Sequence, residues 1–295
     1  MNNMASFLQV RTVFFGASLV VCFIFSLFVF SHVGNAMLVK NLFSTSEFLT
    51  VQFSKIDKKM QAKAFFEPAM AEVLTALQQG KQAQAQMLMS DHNLDLNVHG
   101  KDDITPLLWL IMVANNKPAA KLALDLGADP NFKRANGDNA VTMLAGGKDL
   151  AWLELILAAG GNANAIDRNG EPALFEAIGA ESWDNIHALL DHGADVNLKD
   201  SGGENSALYP AYIMKFEFSY FFIEKGADPL LDTKAGESLA WNIHKKLTKG
   251  IIKSDSRQYP WAMKIKQYLI DQGVEFPPLS PKEVRAKWAK EGKPE

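Results

Sequence analysis

Six histidines make metal binding the first chemistry to weigh, because neutral imidazole is the commonest metal ligand. His187, Asp191 and His192 lie closest together, with His187 and Asp191 one helical turn apart. His192, however, directly precedes a glycine that recurs down the chain, a place on the outside of a turn. His92, His99 and His244 have no companions at ligand spacing. The one cysteine, Cys22, excludes a thiolate zinc site and a disulfide framework. HExxH and a phosphate-cradling glycine loop are absent, and Gly202-Gly203 lies in a turn whose backbone geometry accounts for it. A Ser–His–Asp triad assembles in space, so sequence alone does not exclude one. Read this way, the chain carries no catalytic, cofactor-binding or metal residue, and the expectation is a non-enzyme.

Chemistry of binding is better represented. Lys133, Arg134, Asp167, Arg168, Lys199, Asp200 and Lys234 put mixed charge on recurring turns, which without a partner would simply be a solvated rim. Trp109, Phe175, Tyr209, Tyr212, Phe216 and Phe218 belong to an excess of aromatics, most of which read as core. The run Phe216 to Phe222 is too dense for one buried helix face, so some of these rings are expected on a binding surface.

The elements that position these residues follow a strict period. One phrase recurs as Leu126-Gly127-Ala128-Asp129-Pro130-Asn131, Ala159-Gly160-Gly161-Asn162-Ala163-Asn164, His192-Gly193-Ala194-Asp195-Val196-Asn197 and Lys225-Gly226-Ala227-Asp228-Pro229. Gly127, Gly160, Gly193 and Gly226 are each 33 residues apart, and a weaker copy at Gly273 follows after 47, which is one period plus 14. Ahead of these glycines the pattern predicts helices at Ala119–Leu126, Leu150–Ala158, Trp183–Asp191 and Ser219–Glu224. Glycine after a helix takes the left-handed conformation that ends it, and the following Asp and Asn satisfy backbone donors in the turn.

This chain resembles the ankyrin-repeat family, whose unit is a β-turn followed by two antiparallel helices. Ile104-Thr105-Pro106-Leu107 is similar to the Thr-Pro-Leu-His opening of the family's first helix; Glu171-Pro172-Ala173-Leu174-Phe175 and Asn205-Ser206-Ala207-Leu208-Tyr209 are degenerate versions. The resemblance implies an all-α ankyrin-repeat solenoid, with repeats over 102–277 and the extra residues inserted at 247–260 in the last of them. It also implies binding of another protein through the finger-like turns and the concave face. The candidate contact residues are therefore Lys133, Arg134, Asp167, Arg168, Lys199, Asp200 and Lys234 on the turns, and Phe175, Tyr209, Tyr212 and Phe216 on the helices. A thin solenoid offers few deep, dry pockets, which again disfavours catalysis and a cofactor.

Residues 69–101 read as a polar capping pair, Ala69–Gln79 and Gln82–Ser90, with Asn93 in the place of the repeat glycine. Residues 278–295 read as a C-terminal helix starting at Ser280-Pro281-Lys282-Glu283, a capping signature. The insertion brings Lys245, Lys246, Lys249, Lys253 and Arg257 near one acid, Asp255, so it reads either as a solvated loop or as a basic finger.

Upstream, no Asp, Glu, Lys or Arg occurs between Arg11 and Lys40, a gap of 28 positions. The central 18 residues, Val13 to Phe30, would reach about 27 Å as a helix, close to the ~30 Å hydrocarbon layer. The expected order is thus a short tail (1–11), a transmembrane signal anchor (12–33) and a juxtamembrane linker or helix (34–68). A cleaved signal peptide ending near Gly34-Asn35-Ala36 competes, but signal peptides carry an apolar region of only about 7–15 residues. A short tail before a single apolar segment favours a single-pass inner-membrane protein with its repeats in the periplasm, where a domain without cysteine is at home.

Thirty basic and 33 acidic residues give a net charge of −3, which excludes nucleic-acid binding by bulk positive charge and a disordered acidic tail. The expected partner is a protein. In a Gram-negative cell the plan looks like ankyrin-type immunity proteins that sequester secreted phospholipase toxins of the type VI system. The alternative is an envelope adaptor or chaperone-like scaffold for a resident enzyme. Oligomeric state is not legible.

Overall fold

A computed structural model of the chain describes residues 61–292. The tail, the anchor at 12–33 and the linker up to residue 60 lie outside the described residues. Among the described residues, no helix is long and apolar enough to cross a membrane.

The helices come in antiparallel pairs. They are α1 (Pro68–Gln78) with α2 (Gln82–Asp91), α3 (Pro106–Met112) with α4 (Lys117–Asp125), α5 (Ala140–Ala145) with α6 (Leu150–Ala158), and α7 (Ala173–Gly179) with α8 (Trp183–Asp191). Next come α9 (Tyr209–Tyr212) with α10 (Phe216–Glu224) and α11 (Leu239–Thr248) with α12 (Tyr259–Asp271); α13 (Pro281–Glu291) stands alone. First helices touch first helices (α5–α7, α7–α9, α9–α11) and second helices touch second helices (α6–α8, α10–α12), so two layers build up pair by pair. No strand occurs among the described residues; Ile166–Pro172 and Asp232–Ser238 form only isolated antiparallel bridges.

Local chemistry sets the helix ends. Thr105, Asn116, Asn139, Asp149, Ser182, Ser238 and Ser280 each accept a backbone N–H of the first turn of the helix that follows. Gly127, Gly160, Gly193 and Gly226 have φ between 82° and 100° with open space where a Cβ would go, so glycine is required for its conformation and not for room. Asn93, which stands in that place in the capping pair, has φ 50°. The first helix of the fifth pair is short for a plain reason. In its neighbours that helix begins at Ala140, Ala173 and Leu239, but Pro210 has no N–H to give the carbonyl of Ser206, so α9 starts three residues later than the period would place it.

The repeats are joined by packing and by one polar ladder. Leu153, Ile156, Phe175, Ile178, Ile186 and Leu189 are fully buried between neighbouring pairs, each contributing about 1.5–3 kcal/mol. In the turns, Asn97, Asn131, Asn164 and Asn197 each donate Nδ2–H to the carbonyl of the next repeat's glycine (2.9–3.1 Å). Each also accepts, at 2.7 Å, the N–H two residues beyond that glycine. The ladder stops where Leu230 replaces asparagine.

The inserted residues do not form a free basic finger. They lengthen α11 and α12 and leave a connection whose Ile252 is buried. Lys245 meets Glu237 at 3.7 Å and Arg257 meets Glu217 at 3.1 Å. Lys246 donates to the carbonyls of Ala211 and Tyr212 at the end of α9. Three of the five bases thus have partners in the array, although Arg257, like Lys249 and Lys253, stays exposed.

Candidate functional site

The turns ahead of α5, α7, α9 and α11 are five-residue fingers. Arg134 and Asp138, Asp167 and Glu171, Asp200 and Glu204, and Thr233 and Glu237 close the fingers with an N–H to carbonyl bond of 2.8–3.0 Å. The tips carry the charged residues expected at a partner surface. Lys133, Arg168, Lys199 and Lys234 are exposed. Arg134 is instead tied to the previous finger, donating to the carbonyls of Asp102 and Asp103 (both 3.1 Å). Asp167 and Asp200 hold their own turns together: Asp167 accepts the N–H groups of Asn169 and Glu171, and Asp200 accepts that of Glu204, all at 2.8 Å.

Of the four aromatic candidates, two reach the surface. Tyr209 and Tyr212 are half-buried on α9, Tyr209 lying flat on Phe175 with ring centroids 4.2 Å apart. Phe175 and Phe216 are 0 % exposed and offer a partner nothing. The phenylalanine run on α10 is absorbed the same way: Phe218 and Phe222 are buried, Phe218 stacks on Trp183 of α8, and Phe221 meets that ring edge-on. The crowding that suggested a binding surface is satisfied by a ring from the neighbouring pair.

The structure brings forward a group that sequence reasoning passed over. Asp138, Glu171, Glu204 and Glu237 each follow a finger glycine, each 33 residues from the last, so stacking the fingers stacks four carboxylates. The ends of this row are neutralised. Asp138 meets Arg168 at 3.7 Å, and Glu237 meets Lys245 and accepts the Tyr212 hydroxyl at 3.0 Å. Its middle is not. Glu171 and Glu204, with Glu176 one turn into α7, make no ion pair with any described residue. Burial raises the pKa of all three, and neighbouring carboxylates raise it further; Glu204, beside Asp200, Glu237 and Glu171, is pushed up to about 7.

Other groups feel the same field. The Tyr209 phenol is pushed up to about 12 by burial and then by Glu171, and the Tyr212 phenol rises well above its ordinary range by burial and its bond to Glu237. Burial lowers Lys246 to about 8 although Glu237 works against it. Asp167, Glu171 and Glu176 each bring a carboxylate oxygen within 4.8 Å of the others. Such a set can accept a hard divalent cation or the ammonium or guanidinium group of a protein side chain. His187, Asp191 and His192 are all exposed, and His192 turns Nδ1 to the carbonyl of Ala188 at 2.9 Å.

Positions 107–200 match the family model described as "Ankyrin repeats (3 copies)". Residues 107–200 are ankyrin repeats. Two solved structures are similar to this chain. The crystal structure of EF0377, an ankyrin repeat protein, has a TM-score of 0.50 at 20% identity, covering 65% of this chain and 94% of that one. The ankyrin repeat domain of Bcl-3, titled a unique member of the IkappaB protein family, has a TM-score of 0.51 at 20% identity, covering 61% of this chain and 80% of the other. At that identity the likeness shows the fold alone. No curated protein matches the sequence. The all-helical ankyrin fold is a protein–protein interaction scaffold. On its surface the array here carries exposed lysines and Arg168 on the fingers, and the acid row with the half-buried Tyr209 and Tyr212.

Proposed function

We propose that this chain is a membrane-anchored binding module that holds a protein partner on the face made by its fingers and first helices. One observation carries the choice of face. Glu171, Glu176 and Glu204 are half-buried beside Tyr209 and Tyr212 and have no ion pair among the described residues, and a protein's own fold gains nothing from such an arrangement. A partner placing Lys or Arg there would desolvate and pair those charges, and tyrosine rings add contact area at low entropic cost. The anchor is assigned to residues 12–33, on the strength of the uncharged apolar stretch there, and the repeats to the periplasm. In its most specific form, the partner is a secreted phospholipase that the module sequesters before it reaches lipid. That form rests on the plan of anchor plus binding array.

The test is affinity isolation of full-length protein from detergent-solubilised membranes, comparing the wild type with Glu171→Lys/Glu204→Lys. The proposal expects one stoichiometric partner, released by salt and absent from the variant, while both proteins keep the same helical circular dichroism. A partner retained equally by the variant would move the binding face elsewhere. An isolated partner without lipase activity would remove the toxin reading and leave the binding module.

A further inference from the structure

Successive fingers sit edge to edge, and the last one has no finger after it. Gly170 of one finger approaches Ser201 of the next so closely that a Cβ would lie 3.1 Å from the Ser201 Cβ. Gly203 faces the backbone of Thr233 and Lys234 in the same way, and Lys234 N–H donates to the carbonyl of Gly202 at 3.0 Å. Gly236, the corresponding residue of the last finger, faces α13 instead: a Cβ there would lie 2.9 Å from the Pro281 carbonyl and 3.3 Å from Val284. Arg285 donates to the carbonyl of Ala235. The C-terminal helix therefore occupies the seat of a missing finger.

It occupies that seat on few contacts. Val284 is the one buried side chain of α13, whereas α10, of similar length, buries Phe216, Phe218, Ser219, Phe222 and Ile223. Besides Val284, the guanidinium of Arg285 ties the helix to the finger. The helix is well made for standing apart from the array. Ser280 and Glu283 form a reciprocal capping box, Pro281 opens the first turn, and Gly292 closes the helix in the left-handed conformation. Local caps stabilise the helix as an element, and they do nothing to hold it on the finger.

We propose that α13 is a strap over the end of the finger row, which lifts as a unit without unfolding the repeats and so exposes the edge of the last finger at Ala235 and Gly236. This stands apart from the binding reading above, because the strap can be measured with no partner present. Local opening free energy follows buried apolar contact, and α13 buries one side chain, Val284.

Hydrogen exchange followed by mass spectrometry on the full-length chain in detergent micelles is the test. Peptides covering 281–291 should exchange at least about a hundredfold faster than those from α7 and α10. Val284→Ala should speed exchange about tenfold more in 281–291 and in 233–237 together, and leave α7 unchanged. Ending the chain after Leu279 should keep the melting temperature within a few degrees. Protection of α13 equal to that of α7 would overturn the proposal. So would a Val284→Ala effect spread evenly over the repeats, or a truncated chain that fails to fold, because each makes α13 an integral end cap.

Discussion

Removing one rung of the asparagine ladder tests how the repeats are coupled. Asn164→Ala deletes the acceptor of the Asp195 N–H (2.7 Å) and the donor to the Gly193 carbonyl (3.0 Å). It leaves the helices on either side untouched, since Asn164 lies in the turn between α6 and α7. A net intramolecular hydrogen bond contributes about 0.5–1.5 kcal/mol, so two are worth about 1–3 kcal/mol. Gly193 and Asp195 are exposed, so water re-solvates the freed groups and the lower half, about 1–2 kcal/mol, is expected. For a domain of this size each kcal/mol moves the melting temperature by about 2–4 °C, giving a drop of roughly 2–8 °C. Thermal unfolding followed by circular dichroism at 222 nm measures it, with Glu154→Ala, an exposed change on α6, as the control. Because stability in a linear array is a sum of unit and nearest-neighbour terms, Asn131→Ala should cost a similar amount. The reasoning fails if Asn164→Ala melts with the control, or if Leu230→Ala, where the ladder has already stopped, costs as much.

Four further outcomes follow from the acid row, the core and the N-terminal segment. Glu204 has a folded pKa near 7 against 4.5 unfolded, so the stability linked to its proton is fully present below about pH 4.5 and lost as pH rises through 7; Glu204→Gln should raise the urea midpoint at pH 8 and have little effect at pH 5. Phe175→Ala empties a fully buried site and should cost about 3–5 kcal/mol, whereas Lys199→Ala should stay within about 0.5 kcal/mol, both read from urea titrations. Deleting residues 1–36 should yield a soluble, mostly helical protein, and aggregation or weak helical dichroism would count against separate anchor and repeat parts. A reporter enzyme fused after Glu295 should report the periplasmic side, and a cytoplasmic signal would remove the assigned orientation.

The period by itself determined the repeat architecture, because an ankyrin unit is held by local rules. The glycine that must take positive φ, the capping Ser, Thr, Asn or Asp, and the apolar helical spacing all act within one unit of 33 residues, so Leu150–Ala158 and Trp183–Asp191 emerge from the sequence with the bounds seen in the fold. What the local rules leave open is which neighbour each side chain meets. Phe175 and Phe216, like Tyr209 and Tyr212, are aromatics on repeat helices, yet the fold buries the first two and leaves the others at the surface. Asp167 and Arg134 look like tip charges, and hydrogen bonds within and between fingers bind them to the scaffold. The bases of the insertion look free until Glu217, Glu237 and the carbonyl end of α9 are brought beside them. Asp138, Glu171, Glu204 and Glu237 were visible as a period of acids, but a period has no energy. Only the stacked fingers place like charges side by side in a half-buried row, and that juxtaposition, a property of the tertiary structure, turns four ordinary turn residues into the candidate site.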